Sequence, residues 1–229
     1  MKNLGILIYE DVQPMDVFGP WEVFSIWKST LNCSIDMHLI APDNKIVQCD
    51  GGVKLEAHYT LSDAPNLDYL IVPGGRGRQK ASKNEAILQY IHQQGQSCEY
   101  ILSVCTGMFL LYYAGLLDNK KVTTYWRAMP ELRELDNINV VEERVVKSGK
   151  IWTAGGISSG IDLALALIAE ISGRDTAGQV QLLFEYFPEQ IAYCNTSLKE
   201  TLPDYSNTTR TMNTKLPEYI VNFINSSTS

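Results

Sequence analysis

Short β-rich apolar runs alternate along this chain with longer segments in which apolar residues recur at helical spacing. Residues 3–9, 34–40, 69–72, 100–104, 122–125, 140–145 and 151–153 read as strands, most of them apolar enough to lie in the centre of a sheet. Helices are predicted near 17–28, 84–94, 106–113, 130–135, 159–171 and 175–187, with Gly115 and Gly173 where C-caps are expected. Strands alternating with helices imply a mostly parallel sheet covered by helices, so the fold class is α/β. No internal repeat is visible. After about Pro188, Asn, Thr and Ser accumulate, and residues 188–229 are expected to form a peripheral C-terminal extension of the domain spanning 1–187, with its last residues disordered.

Composition narrows the possibilities. At 229 residues the chain can bury a sizeable single core. Its apolar runs are all shorter than the roughly 20 residues needed to cross a bilayer, so a soluble protein without membrane contact is expected. The first nine residues resemble the apolar part of a secretion signal, but no small-residue cleavage site follows and Glu10-Asp11 arrives at once, which favours a buried first strand. A net charge of -7 with no Lys/Arg cluster offers no footprint for nucleic acid. Cys33, Cys49, Cys98, Cys105 and Cys194 are odd in number, scattered, and lack the CxxC or Cys/His spacing of a zinc site. Reduced thiols in the cytoplasm, and no metal, are the expectations.

The most informative stretch is Tyr100-Ile-Leu-Ser-Val-Cys-Thr-Gly-Met-Phe-Leu-Leu, which sets Cys105 between a strand-like and a helix-like run. It reads as a nucleophile elbow. Unpaired amides and the positive end of the helix behind it would favour a thiolate. The alternative is a small buried cysteine filling a strand end. Three further strand ends carry unusual residues, and ligands of open parallel sheets bind at the carboxyl ends of strands. Asp16 opens a helix whose other early residues are apolar, and is either a helix-start carboxylate or a site acid. Pro73-Gly74-Gly75-Arg76-Gly77 follows a buried strand, and its amides could form an oxyanion hole or an ordinary tight turn. Thr153-Ala-Gly-Gly-Ile-Ser-Ser-Gly-Ile-Asp162 again keeps the backbone bare, either for helix packing or to border a pocket.

Four blocks, Val12-Gln-Pro-Met-Asp-Val-Phe-Gly-Pro20, Val72-Pro-Gly-Gly75, Ser103-Val-Cys-Thr-Gly107 and Ala154-Gly-Gly-Ile-Ser-Ser-Gly-Ile-Asp162, together resemble the ThiJ/PfpI superfamily of class I glutamine amidotransferase-like proteins, and within it the isocyanide (isonitrile) hydratases. The resemblance spans residues 3 to 187. It implies a flavodoxin-like sandwich with helices on both faces, a strained cysteine on the elbow, and a homodimer acting on a small molecule. By the same resemblance Cys105 is the nucleophile, Asp16 the acid beside it, and Thr106 and Gly75 supply oxyanion amides. Superfamily members commonly carry Glu where Asp16 stands, whereas the hydratase-like branch has Asp. A His commonly follows the strand after the elbow helix; here Tyr125 occupies that place, which leaves the substrate open. His38, His58 and His92 fall far from the strand-end blocks and are assigned no role. Phe18, Tyr125, Trp126, Gly156 and Ile157 are candidates to line an apolar pocket, with ordinary core packing as the alternative for the aromatics.

The implied chemistry is cysteine-dependent hydration of an isocyanide to an N-substituted formamide, with no cofactor. Two other readings remain at this point: a thiol-based oxidation sensor, and a ligand-sensing domain of a transcription regulator. Residues after Pro188 contain no basic stretch that would suit the latter without a separate partner.

Overall fold

A strand covered on both faces must be apolar at every position, and the apolar runs accordingly lie at the centre of the molecule. The computed structural model describes residues 1–188, 191–203, 205 and 215–227. Its first half comprises β1 (Lys2–Leu7), α1 (Pro14–Leu31), β2 (Ile35–Ala41), β3 (Ile46–Gln48), β4 (Lys54–Glu56), β5 (Tyr59–Thr60), β6 (Tyr69–Val72), α2 (Arg78–Ala81) and α3 (Glu85–Ser97). The second half comprises β7 (Tyr100–Ser103), α4 (Met108–Tyr113), β8 (Lys120–Val122), α5 (Met129–Leu132), β9 (Ile138–Val140), β10 (Val145–Ser148), β11 (Ile151–Ala154), α6 (Ser159–Ser172), α7 (Arg174–Leu183) and α8 (Glu218–Ser226).

Seven strands form one sheet in the order β10-β11-β7-β6-β1-β2-β5. It is parallel apart from β10, which runs antiparallel to β11. Every residue of β6 and β11 is buried, as a two-sided sheet requires. The chain leaves β1 toward β2 in one direction and runs from β6 through β7 to β11 in the other. Right-handed crossovers therefore place α1 on one face and α3 and α4 on the opposite face. Helices α6 and α7 pack back against α1, and α3 packs against α4. This is the flavodoxin-like α/β arrangement.

Strand order reverses between β1 and β6, and that reversal opens a crevice at the carboxyl ends of the strands. The loops after β1 and β6 are stitched together by a bridge between Val12 and Gly75 and a 2.9 Å bond from the Gln13 amide to the Gly74 carbonyl. The Val104 amide reaches the Val72 carbonyl at 3.2 Å, which brings the end of β7 into the same corner.

The strand predicted over 122–125 departs from this plan. Only Lys120–Val122 is extended, and β8 pairs with β9 in a two-stranded sheet of its own. Thr123 and Thr124 are fully buried, but their polar groups bond to Thr153 and Cys105 instead of continuing a ladder. The run 140–145 divides into β9 and β10, because Glu142 and Glu143 between them are not buried. The β3–β4 hairpin and two-residue β5 are too short to show in hydrophobic periodicity. Beyond α7, helix α8 buries Ile224. Thr228 and Ser229, for which disorder is expected, lie outside the described residues, as do 204 and 206–214 of the extension.

A Cβ placed on Gly107 would stand 2.0 Å from the Val72 carbonyl oxygen, backbone against backbone. Gly107→Ala should cost at least the roughly 1–3 kcal/mol typical of overpacking. Urea unfolding should show a lower midpoint at unchanged slope.

Candidate active site

Cys105 follows β7 and begins a 3-10 turn, Cys105–Gly107, that runs into α4. Its φ is +56°, a left-handed conformation that costs a non-glycine residue about 1–3 kcal/mol unless the surroundings hold it. They hold it at both backbone groups. The Cys105 amide donates to the Gly155 carbonyl at 2.8 Å, and the Cys105 carbonyl accepts the Thr124 hydroxyl at 2.8 Å. The sulfur receives the backbone amides of Ile157 and Thr106 and the Thr106 hydroxyl. Only 6% of the residue is exposed.

Asp16 lies in the first turn of α1 and is completely buried. It does not serve that helix's own amides: Oδ2 accepts the Gly74 amide from the loop after β6 at 2.9 Å. Oδ1 has no N–H or O–H donor among the described residues, and the Cys105 thiol is the polar group that reaches the carboxyl. Burial raises the Asp16 pKa from 3.8 to about 8, against the pull of the Gly74 amide and the thiol. Burial likewise pushes the Cys105 thiol far up, Asp16 adds to that rise, and the Ile157 and Thr106 donors oppose it. The thiolate expected from a helix end is therefore reversed. A 3-10 turn and a few amides do not offset the loss of solvent and the adjoining carboxyl. Both shifts favour the protonated forms near neutrality, and two acids sharing a dry site titrate as a coupled pair.

The remaining candidates fall on three sides of this pair. Thr106 is buried against the sulfur, and its hydroxyl accepts the Gly75 amide at 3.2 Å. The Gly75 amide is thus engaged with Thr106, and the second amide on the sulfur comes from Ile157, which sequence reading had placed only in the pocket wall. Tyr125, Trp126, Gly156 and Ile157 line one pocket of about 280 Å³ together with Arg144, Ser158, Tyr219 and Ile220. The Tyr125 ring lies so close over Gly156 that a Cβ there would meet it at 2.7 Å. Phe18 is not in this pocket. It is 37% exposed, because its neighbours Asp16, Val17, Gly19 and Pro20 occupy the buried side of α1 and leave residue 18 facing away.

Several groups at the site have no sequence signature. Tyr9 is buried and donates its hydroxyl to the Pro73 carbonyl at 2.7 Å. Arg78 forms a two-pronged pair with Glu131 and lies 4.2 Å from the centroid of the Phe109 ring. Tyr205 packs on Tyr125 with ring centroids 5.5 Å apart, and Arg127 sits 5.4 Å from its ring. The histidines lie elsewhere: His38 and His58 in an aromatic group with Trp21 and Tyr59, and His92 on α3 against the Ala114 carbonyl. Among the described residues no group of three or more His, Cys, Asp or Glu is arranged to hold a metal ion, and no helix is long and apolar enough to cross a membrane.

Residues 2–170, which contain the elbow, the buried acid and both glycine-rich strand ends, match the DJ-1/PfpI family. The chain belongs to that family. It is 39% identical over 186 residues to an isonitrile hydratase of Pseudomonas putida, covering 81% of this chain and 79% of that protein. It is 29% identical over 139 residues to the Parkinson disease protein 7 homolog of Danio rerio, covering 59% and 74% respectively. The crystal structure of a ThiJ/PfpI family protein from Pseudomonas syringae superposes with a TM-score of 0.78 at 25% identity, covering 99% of this chain and 86% of that one. DJ-1/PfpI membership accounts for the parallel sheet and the elbow, and the family includes both enzymes and proteins without an enzymatic role.

Because the folded pKa of Asp16 is raised, the native protein holds a proton that the unfolded chain has lost between about pH 4 and pH 8. Asp16 therefore makes stability fall as pH rises through that window, by up to about 1.4 kcal/mol per unit, and its effect levels off above it. Urea midpoints of wild type and Asp16→Asn from pH 5 to pH 8 should diverge with that sign. A difference independent of pH would show the carboxyl to be charged in the native state.

Proposed function

We propose that this protein hydrates a small organic isocyanide to an N-substituted formamide, with Cys105 as nucleophile and Asp16 as acid and base. The observation that carries the reading is a buried carboxyl, neutral near pH 7, against a thiol pinned in a left-handed conformation. The 39% identity to an isonitrile hydratase supports it. The terminal carbon of R–NC needs both a proton and a nucleophile, and a neutral acid beside a sulfur offers both. Asp16 gives its proton to that carbon as the Cys105 sulfur forms a bond to it, and the thiol proton passes to the carboxylate left behind. The product is a thioimidate, R–N=CH–S. Water then adds to the same carbon: Asp16 gives its proton to nitrogen and takes one from the water, leaving R–NH–CH(OH)–S. The C–S bond breaks as the C=O bond forms, the hydroxyl proton passes to the sulfur, and the thiol is restored with release of R–NH–CHO. The Thr106 and Ile157 amides stabilise negative charge on sulfur as it departs.

A buried thiol of raised pKa weighs against an oxidation sensor, which needs an accessible thiolate. Five unpaired cysteines fit a reducing cytoplasm. Met15 and Phe18, apolar yet 41% and 37% exposed on α1, favour burial against a second copy. Light scattering should then give twice the 25.7 kDa chain mass, and a monomer at micromolar concentration would overturn the dimer.

Incubation with a panel of alkyl and aryl isocyanides should yield formamide, none with Cys105→Ala, and a rate lowered by about 10²–10⁴ with Asp16→Asn. Normal turnover by Cys105→Ala, or no product across the panel, would overturn the reading.

A further inference from the structure

The pocket beside the elbow has one wall that the family-matched residues 2–170 do not supply. Tyr219 and Ile220, on the first turn of α8, face Tyr125, Trp126 and Ile157 across about 280 Å³. Tyr219 is fixed close to the reacting centre. Its hydroxyl stands 2.9 Å from where a Cβ on Gly155 would be, and the carbonyl of that same glycine holds the Cys105 amide. It is near enough that a charge on Cys105 raises the Tyr219 pKa further, after burial has raised it.

Chemistry on the pocket surface limits what enters. Arg144 is its one charged lining residue among the described residues, and the charge is paired: Nε and Nη2 bind Asp162, with Nη2 also 3.2 Å from the Ser158 hydroxyl. Asp162 further accepts the Tyr186 hydroxyl. The rest of the lining is aromatic and aliphatic surface apart from the Ser158 and Tyr219 hydroxyls. A dry cavity of about 150 Å³ accommodates benzene, so a pocket of about 280 Å³ has room for one ring or a fused pair and not for a larger polycycle.

We propose that α8 is the substituent-binding wall of the site, and that Tyr219 and Ile220 select substrates whose group R is uncharged, apolar and no larger than about two fused rings. The inference rests on the hydratase reading only for the identity of the reacting group. Ile157 ties the two together, because its amide lies on the Cys105 sulfur while the residue itself lines the pocket. On this proposal a group R filling the pocket extends from the atom that the sulfur attacks.

The test uses the full chain and two readouts with the same series of R groups: methyl, cyclohexyl, phenyl, pyrenyl and carboxymethyl. One is kcat/KM for the isocyanides; the other is the rate of alkylation at Cys105 by N-substituted haloacetamides, read by mass spectrometry of the Cys105 peptide. Wild type should favour cyclohexyl and phenyl over pyrenyl and carboxymethyl. Tyr219→Ala should raise pyrenyl relative to phenyl by about tenfold or more, chiefly through KM, whereas Tyr219→Phe should keep the wild-type size ranking. Ile220→Trp fills the cavity and should shift the ranking toward methyl, which keeps the test decisive if Tyr219→Ala does not fold. An unchanged alkylation ranking in Tyr219→Ala or Ile220→Trp would overturn the wall, even if isocyanides are hydrated. A shifted ranking with no isocyanide turnover would overturn the hydratase reading and leave the wall standing.

Discussion

A carboxyl group with no solvent exposure resists being charged without a counterion, and Asp16 has none among the described residues. One backbone amide and one thiol are what the fold gives it. The rest of the site follows from that constraint. The group keeps its proton, so it is an acid where an exposed aspartate would be a base, and the thiol beside it is held neutral in turn. Solvating the pair would return both groups toward ordinary values and remove the acid. The apolar packing of β1, β6 and α1 around Asp16 is therefore as much a part of its chemistry as the carboxyl itself.

Topology explains how three distant segments meet. Strands β1, β6 and β7 are neighbours in the sheet, and each delivers one component at its carboxyl end: Asp16 after β1, the Gly74 amide after β6, Cys105 after β7. A fourth component comes from β11, which lies beyond β7 and ends in the Gly155 carbonyl and the Ile157 amide. Adjacent parallel strands stand just under 5 Å apart, so groups one or two strands away lie within side-chain reach without any long loop. The backbone carries much of the load: the elbow is held by one carbonyl and one threonine hydroxyl, and the sulfur by two amides and the Thr106 hydroxyl.

These divisions decide what could be read from the sequence. Strands buried on both faces, such as 69–72 and 100–103, are apolar throughout and announce themselves. Thr123 and Thr124 look like a continuing strand because β-branched residues favour extension, but their hydroxyl and amide are needed by β11 and the elbow. Side-chain chemistry was legible at Cys105 and Asp16, since residue types there are unusual for strand ends. The Ile157 amide was not, because a backbone donor leaves no mark on residue identity. The protonation of the pair was not legible for a related reason: local sequence shows a helix start, whereas the pKa is set by burial from segments far along the chain.

Tyr125 brings the same lesson to substrate choice. Its ring occupies the space over Gly156, and a side chain on that glycine would meet it. An aromatic ring at this position closes one side of the crevice with apolar surface, yet a single ring cannot enclose a substituent. Tyr205 packs on its outer edge, and Tyr219 and Ile220 stand across the cavity. Those three residues come from a segment whose composition, rich in Asn, Thr and Ser, reads as appendage. On the proposed reading, an elbow built by the sheet supplies the reacting atoms, while enclosure of the substituent is left to chain that folds back over it. Selectivity can then change through α8 without disturbing the buried acid, because the two share no side-chain hydrogen bond among the described residues.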